Sequence, residues 1–312
     1  MYPISVDTLI EDIKVTCSFP NSAALMSDDE IVRRLTLTQT TELVPLINSL
    51  RAEYFVVVTD VALVANTFEY ELPFRSVGCK LRDISLIDHN GNEIYLPQLD
   101  PSQIKMPGGI RGYSTLLPTP YGYFFQYNKV KLFFGTPDNN SIVSSFPTLR
   151  FKYYRQPNML LLNSSGTTVT TISGTQITVP AVPTTWVAGT KIDIISSDPI
   201  FVSRVDDLEI DSISMNTITF TTTVPTTVVA DDLVCPARFT TTPQLPVECF
   251  TLLTQLVAVD IFSILGDVPG HQTASIELKS MREAFLSEFS PRNEGTSIKI
   301  NSYNTLFDSF WY

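Results

Sequence analysis

Histidine is nearly missing from this chain: there are two in 312 residues, His89 and His271. So few imidazoles exclude a His-rich metal centre and leave little acid–base chemistry for neutral pH. Glycine is also sparse, 13 residues against 21 prolines, so the chain turns at stiff corners more often than at flexible ones. Charged residues make up 17% and hydrophobic residues 44%, which supplies a sizeable core and excludes wholesale disorder. The net charge is −11, which gives no overall electrostatic footprint for gripping nucleic acid or an anionic membrane. Cysteine occurs four times, as Cys17, Cys79, Cys235 and Cys249, never as CxxC and never close to a histidine. Reduced core thiols are therefore expected. Met1–Asp7 lacks the basic and apolar regions of a signal peptide, and no uninterrupted apolar run approaches the ~18 residues of a membrane span. A soluble chain made inside the cell is the expectation.

Nucleotide-binding glycine loops (GxGxxG, GxxxxGK[ST]) and the GxSxG nucleophile elbow are absent. The acidic run Asp206-Asp207-Leu208-Glu209-Ile210-Asp211 fails as a calcium loop, since Ser212 and Ile218 stand where Gly and Glu are needed. It is expected to be a strand with one acidic face. His89 is expected in a solvated turn, and His271 in a loop or cap before a helix. No catalytic, cofactor-binding or metal-binding residue is assigned.

The first third reads as helical. Val6, Leu9, Ile10 and Ile13 have helical spacing. Ser27-Asp28-Asp29-Glu30 has the form of a capping box, with Ser27 accepting from the Glu30 N–H and the Glu30 carboxylate reaching back. Apolar residues then continue to about Arg51, through a kink or restart at Pro45. Strand patterns come next at Phe55–Val58, Thr67–Leu72, Leu81–Ile87 and Leu149–Arg155. Asn90-Gly91 predicts a type I′ hairpin turn, and Tyr121–Gln126 with Lys129–Phe134 a second hairpin. Arginine and lysine recur between Arg75 and Arg155, including Lys129, Lys131, Arg150 and Lys152. This region is read as a solvated strand face, with a nucleic-acid face as the sharper option.

From about Leu161 to Pro236 the composition turns to Thr, Ser, Val, Ile and Pro, and the chain echoes itself. Val169–Val179 matches Ile210–Phe220, and Val182-Pro183-Thr184-Thr185-Trp186-Val187-Ala188 matches Val224-Pro225-Thr226-Thr227-Val228-Val229-Ala230. Two structurally similar β-units, packed as one small barrel or sandwich, are expected. Helical spacing returns after Pro246. The largely apolar run Leu252–Leu265 stops at Gly266-Asp267 and belongs in a core or interface, with Leu252, Leu256, Val259 and Ile264 as its helical-layer contacts. Gln272–Glu288 reads as an amphipathic helix. The chain ends on an aromatic segment whose Tyr303, Leu306, Phe307, Phe310, Trp311 and Tyr312 call for a partner surface.

The expected class is α+β. Residues 1–54 form an N-terminal helical segment and 55–160 a mainly antiparallel β-rich region. Residues 161–240 form a Thr-rich insertion with the internal repeat. Residues 241–290 supply C-terminal helices that join the first helical layer, and 291–312 an extended aromatic tail.

The order of several motifs resembles a known family. These are Ser27-Asp28-Asp29-Glu30-Ile31, Leu43-Val44-Pro45-Leu46-Ile47 and Tyr70-Glu71-Leu72-Pro73-Phe74-Arg75-Ser76-Val77-Gly78. Leu81-Arg82-Asp83-Ile84, Phe151-Lys152-Tyr153-Tyr154-Arg155-Gln156-Pro157-Asn158, Leu245-Pro246-Val247-Glu248 and Ile264-Leu265-Gly266-Asp267 come after them in turn. Together they resemble the head-to-tail adaptor (connector ring) proteins of short-tailed bacteriophages, of the crAss-like kind among others. The resemblance implies a non-enzymatic virion protein at the head–tail junction, made in the cytoplasm of the bacterial host. It implies a homo-oligomeric, dodecameric ring that contacts the portal above and a tail protein below. DNA would pass through the ring without specific binding. An alternative from another class is a tail-associated glycan-binding or glycan-cleaving β module, suggested by Trp186 and the acidic run near Asp207.

Overall fold

The computed structural model describes residues 4–17, 26–51, 53–73, 75–100, 122–133, 140–197 and 203–289. It shows the expected α+β class, with helices and antiparallel sheets gathered around three hydrophobic cores.

Helix α1 (Val6–Thr16) buries Val6, Leu9, Ile10 and Ile13, the stripe its spacing specifies, and Ser5 caps it by accepting from the Thr8 N–H. Helix α2 (Asp28–Thr38) begins as expected, with Ser27 Oγ accepting from the Glu30 N–H at 3.3 Å. The other half of the capping box is replaced. The Glu30 carboxylate pairs with Arg33 at 2.7 Å and Arg34 at 2.9 Å, because charge-assisted bonds to guanidiniums at i+3 and i+4 outcompete a neutral N–H. The region does restart at Pro45. The helix widens into a π segment over Gln39–Leu43, where the Val44 N–H donates to Gln39 O, and continues as α3 (Val44–Leu50). Proline has no N–H to give to the preceding turn, and the wider turn accommodates it.

The β-rich region contains β1 (Val56–Ala62), β2 (Glu69–Glu71), β3 (Ser76–Ile87), β4 (Glu93–Tyr95), β5 (Gly122–Gln126), β6 (Lys129–Phe133), α4 (Asn140–Ser145) and β7 (Thr148–Arg155). Strands pair antiparallel in the order β1-β7-β3-β4, and a second sheet runs β2-β6-β5. Leu149, Phe151 and Tyr153 alternate into the second core, as the period-two pattern requires. The Asn90-Gly91 turn differs from expectation. Gly91 has φ 84° but Asn90 is not in the left-handed region, so the turn is not type I′. Asp88 organises a wider loop instead: its Oδ1 accepts from the N–H groups of Asn90 and Asn92. An aspartate just before the turn offers these bonds at once, and the two-residue turn loses to them. The second hairpin forms as expected around Tyr127 and Asn128, with Tyr127 at φ 55°.

β8 (Met159–Leu160) leads into the insertion, which contains β9 (Thr167–Thr168), β10 (Thr171–Ser173), β11 (Gln176–Thr178), β12 (Lys191–Ile195), β13 (Ser203–Ser214), β14 (Thr217–Phe220), β15 (Leu233–Pro236) and β16 (Phe239–Thr240). Seven of these form one sheet ordered β10-β11-β14-β13-β12-β15-β9. The sequence echo is a structural repeat with reciprocal bonding. Gly174 (φ 59°) and Met215 (φ 51°) turn equivalent hairpins. The Trp186 N–H donates to Pro183 O, and the Val228 N–H to Pro225 O. Across the two units the bonds are exchanged in kind. Gly189 N–H donates to Ile210 O and Ile210 N–H to Thr190 O; Asp231 N–H donates to Val169 O and Val169 N–H to Asp232 O. Each unit thus supplies the edge that the other lacks, and the third core forms between them.

A short parallel pair, β16 with β8, leads back to the helices. Helix α5 (Phe250–Leu265) ends at Gly266 with φ 70°, a left-handed cap that glycine adopts without penalty. Val247–Leu265 is long and apolar enough by composition to cross a membrane, and half of it is buried. Here Leu252, Leu253, Val257, Ala258 and Ile261 fill the first core with α1, α2 and α3. Helix α6 (Val268–Phe289) starts earlier than expected. Asp267 caps it by accepting from the Gly270 N–H, and the His271 N–H donates to Asp267 O within the first turn, so His271 is helical rather than a loop residue. The helix is less amphipathic than its pattern suggests, burying Ala274, Phe285 and Phe289.

Candidate functional site

An ionic junction links the helices, the first sheet and the insertion; it is buried at Asp193, Arg75 and Arg155 and partly open to solvent at Asp206 and Asp207. Asp193 on β12 is fully buried. Its carboxylate accepts from Arg75 Nη1 at 2.6 Å and Nη2 at 2.8 Å, from Asn158 Nδ2 at 2.9 Å, and from the backbone N–H groups of Asp207 at 3.0 Å and Arg238 at 2.8 Å. Beside it, Asp206 on β13 accepts a two-pronged grip from Arg155, at 2.6 and 2.8 Å, and a third bond from Arg75 at 2.9 Å. Asp207 faces the other Arg75 nitrogen at 3.0 Å.

Backbone geometry makes this possible. The pairing of β12 with β13 is irregular, and Asp207 takes φ 56°. That turns its N–H toward Asp193 and brings both neighbouring carboxylates to the same cluster. A non-glycine residue in this region costs about 1–2 kcal/mol, which the ionic bonds offset. Arg75 stands at the start of the long strand β3. Arg155 occupies the last inward position of β7, in line with Leu149, Phe151 and Tyr153.

Asn158 ties the helical layer to the same point. Its N–H donates to Gln244 Oε1 at 2.7 Å, and its carbonyl accepts from Gln39 Nε2 at 3.1 Å. Gln39 is buried on the π segment. One turn earlier, Thr36 Oγ1 accepts from the Leu160 N–H at 3.0 Å. Helix, sheet and insertion therefore share one hydrogen-bonded network.

The electrostatics follow from this geometry. Burial pulls the Arg75 guanidinium toward neutrality, but its bonds to Asp193 and the charges of Asp193, Asp206 and Asp207 outweigh that, leaving it above its ordinary value. Burial raises the Asp206 carboxyl, and the bonds and charge of Arg155 then carry it below the usual carboxylate range. Because the folded value of Asp206 is depressed, its stabilisation is fully present above the unfolded value and is lost as pH falls through the folded one. We expect stability to drop on acidification below about pH 4, with a shallower drop in Asp206→Asn. Denaturant midpoints measured between neutral pH and pH 3 check this; parallel slopes for the two proteins would contradict it.

The arrangement is suited to holding bodies together. Arg75 and Arg155 are 7% and 8% exposed and committed to carboxylates, so they are neither a solvated strand face nor a phosphate-binding one. Arg150 is bound by Asp60 at 2.7 Å, and Lys152 by Glu93 at 2.7 Å. Asp206 and Asp207 belong to the junction, and the acidic face expected along β13 reduces to Glu209 and Asp211. Trp186 is 5% exposed; its ring fills the third core and offers no stacking platform to a glycan. His89 sits exposed at its turn, with Nε2 2.8 Å from Ser144 O. Cys17, Cys235 and Cys249 are buried free thiols, and burial pushes the first to about 11 and the other two to about 12, which holds them protonated. The side chain of Cys79 lies outside the described residues.

Among the expected helical-layer contacts, Leu252 is buried, Leu256 and Val259 are half-buried, and Ile264 is exposed. Tyr303, Leu306, Phe307, Phe310, Trp311 and Tyr312 lie outside the described residues. The junction residues carry no joint signature in the sequence: Arg75, Asn158, Asp193, Asp206 and Gln244 are scattered along it. Arg155 alone leaves a trace, as a charge standing in the buried phase of an alternating strand. No protein-family model matches the chain, and no curated protein matches it.

Proposed function

We propose that this protein is a structural head-to-tail adaptor of a short-tailed bacteriophage. Copies form a dodecameric ring between portal and tail, and DNA passes through it without specific binding. The observation that carries the reading is the corner between α5 and α6. The inner part of α5 is embedded in the first core, while Ile264, Leu265, Val268 and Ile276 at and beyond the corner are 49%, 37%, 62% and 74% exposed. Exposed apolar side chains at the corner of a helical hairpin, Ile264, Leu265 and Val268, suit a contact with a neighbouring subunit. The ordered motifs that resemble the adaptor family support the same reading. So does the net charge of −11, part of which is proposed to face the channel and repel DNA phosphates.

The test is the mass and symmetry of the purified protein mixed with its portal. A ring of fixed stoichiometry on the portal is expected, and Val268→Glu should weaken it without unfolding the protomer. Failure to associate with the portal at micromolar concentrations would count against the reading. Deleting residues beyond Glu294 should also weaken assembly on the portal, through loss of the aromatic end. Unchanged assembly of the truncated chain would remove the tail from the contact.

A further inference from the structure

Strand β1 lies at the edge of its sheet, paired on one side with β7. The flanking bonds Arg155 N–H to Phe55 O and Leu63 N–H to Pro147 O fix the phase. Val57, Thr59 and Val61 bond toward β7, so the backbone groups of Val56, Val58, Asp60 and Ala62 point away from it. Among the described residues no strand meets them. The side chains show the same lack of a neighbour. Val57, Thr59 and Val61 stand opposite the buried Tyr153, Phe151 and Leu149, yet all three remain half-buried. On the other face Val58 is 49% exposed. An open edge with apolar side chains is a template for another strand.

The edge is its own complement. It reads Val56-Val57-Val58-Thr59-Asp60-Val61-Ala62. A second copy laid antiparallel must set outward-pointing residues against outward-pointing ones, which leaves three registers near the middle. With Asp60 opposite Asp60, like charges face each other directly. With Val58 opposite Val58, Val61 and Ala62 run past the start of the other strand. With Thr59 opposite Thr59, the whole strand is paired. Val57 of each copy then covers Val61 of the other on the core side, and Val58 lies opposite Asp60 on the outer side. The two Asp60 carboxylates stand only diagonally, each held by its own Arg150 at 2.7 Å. Beyond Val58 of the second copy comes Lys152, its partner on β7, so Asp60 has a cation on both sides. A single seven-residue edge buries far less than the ~1,600 Å² of a standard interface, which makes the pair a weak one.

We propose that a second copy of this chain pairs with β1 across a two-fold axis, antiparallel and centred on Thr59. Two four-stranded sheets join edge to edge, and Val56 with Ala62 and Val58 with Asp60 exchange backbone bonds between the copies. A two-fold contact closes a pair and does not build a cyclic ring. The pair is therefore a form of the free protein. It keeps the apolar edge from templating aggregation and parts when copies assemble. This inference does not depend on the adaptor reading, since it concerns the isolated protein.

Sedimentation velocity of the isolated full chain, from micromolar to near-millimolar concentration, tests it. A reversible dimer is expected, with amide protection at Val58, Asp60 and Ala62 that grows with concentration. Val58→Asp, opposite Asp60 of the second copy, should weaken the dimer about tenfold, since the two-fold axis applies the change twice. Val58→Lys, opposite the same carboxylate, should leave the dimer as tight or tighten it. Both changes lie on the outer face, and thermal unfolding of the dilute protein checks that the protomer is intact. A cross-link supplies the register. Thr59 faces Thr59 in a non-hydrogen-bonded pair, with Cα atoms about 4.5 Å apart, so Thr59→Cys should give an interchain disulfide under mild oxidation, with the wild-type chain as the control for its own thiols. A monomer at every concentration would overturn the proposal. So would edge protection that is complete in dilute protein, which would assign the cover to the chain itself. A dimer indifferent to Val58→Asp, or one with no disulfide in Thr59→Cys, would also overturn it. Val268→Glu should leave this dimer unchanged, so the edge contact and the ring contact fail separately.

Discussion

Asp193→Ala is expected to destabilise the protein by about 3–5 kcal/mol, the range for removing one partner from a buried ion pair. The reason lies less in the lost attraction than in what remains. Arg75, with a side chain 6% exposed, keeps its charge in a site from which water is largely excluded. The Asn158 amide and the N–H groups of Asp207 and Arg238 lose their acceptor at the same time, and each unsatisfied buried donor adds to the cost. Asp193→Asn should fall between wild type and alanine, since one acceptor oxygen survives but the charge does not. A control separates orphaning from net contribution. Arg75→Met together with Asp193→Leu removes both charges, and it should recover much of the loss. Urea unfolding followed by circular dichroism measures all four proteins. A loss under about 1 kcal/mol in Asp193→Ala would mean that the junction contributes little.

The same variant tests how the three cores are coupled. In the wild type the junction ties them, so one unfolding transition is expected. Without Asp193 the insertion keeps its own core and the reciprocal bonds between its two units, while its ionic grip on β3 and β7 is weakened. Separate transitions for the insertion and the rest, seen as probe-dependent midpoints, should then appear. In the ring proposed above, a fixed orientation of the three cores is what the junction would supply.

How much of this is legible in the sequence depends on the range of the interactions. Local patterns carry over well. The stripe Val6, Leu9, Ile10 and Ile13, the Ser27 cap, the restart at Pro45 and the glycine stop at Gly266 are each settled by residues within a few positions of one another. The repeat is legible for a related reason, since two copies of one pattern imply two copies of one shape. The Asn90-Gly91 pair misleads because Asp88, two residues earlier, offers competing bonds. His271 reads as a loop residue because Gly266 and Gly270 suggest an open segment, whereas Asp267 between them caps the helix. The junction itself is not legible. Arg75 and Asp193 are 118 positions apart, and nothing in either neighbourhood marks them as partners. The acidic run looks like a strand face because the left-handed residue at Asp207, which redirects it, carries only the weak signal of one aspartate among several.

Phe151→Ala carries the other large expected effect, a loss of about 3–5 kcal/mol. Phe151 is fully buried, at 0% exposure. It sits on β7 between the two strands that flank it, opposite Thr59 of β1 and Ile84 of β3. Both neighbours are held by the backbone ladder, so the walls of the cavity cannot move in to fill it, which places the cost toward the upper part of the range. Phe151→Leu, which keeps most of the volume, should cost clearly less. Arg155 lies four residues further along the same strand, roughly 13 Å away at strand spacing, and this permits a sharper test. If β7 is a rigid rod, Phe151→Leu and Asp193→Asn act independently, and their effects add to within about 0.5 kcal/mol. A coupling larger than that would mean that a cavity in the second core shifts the arginine at its end, and that the junction yields to deformation of the sheet.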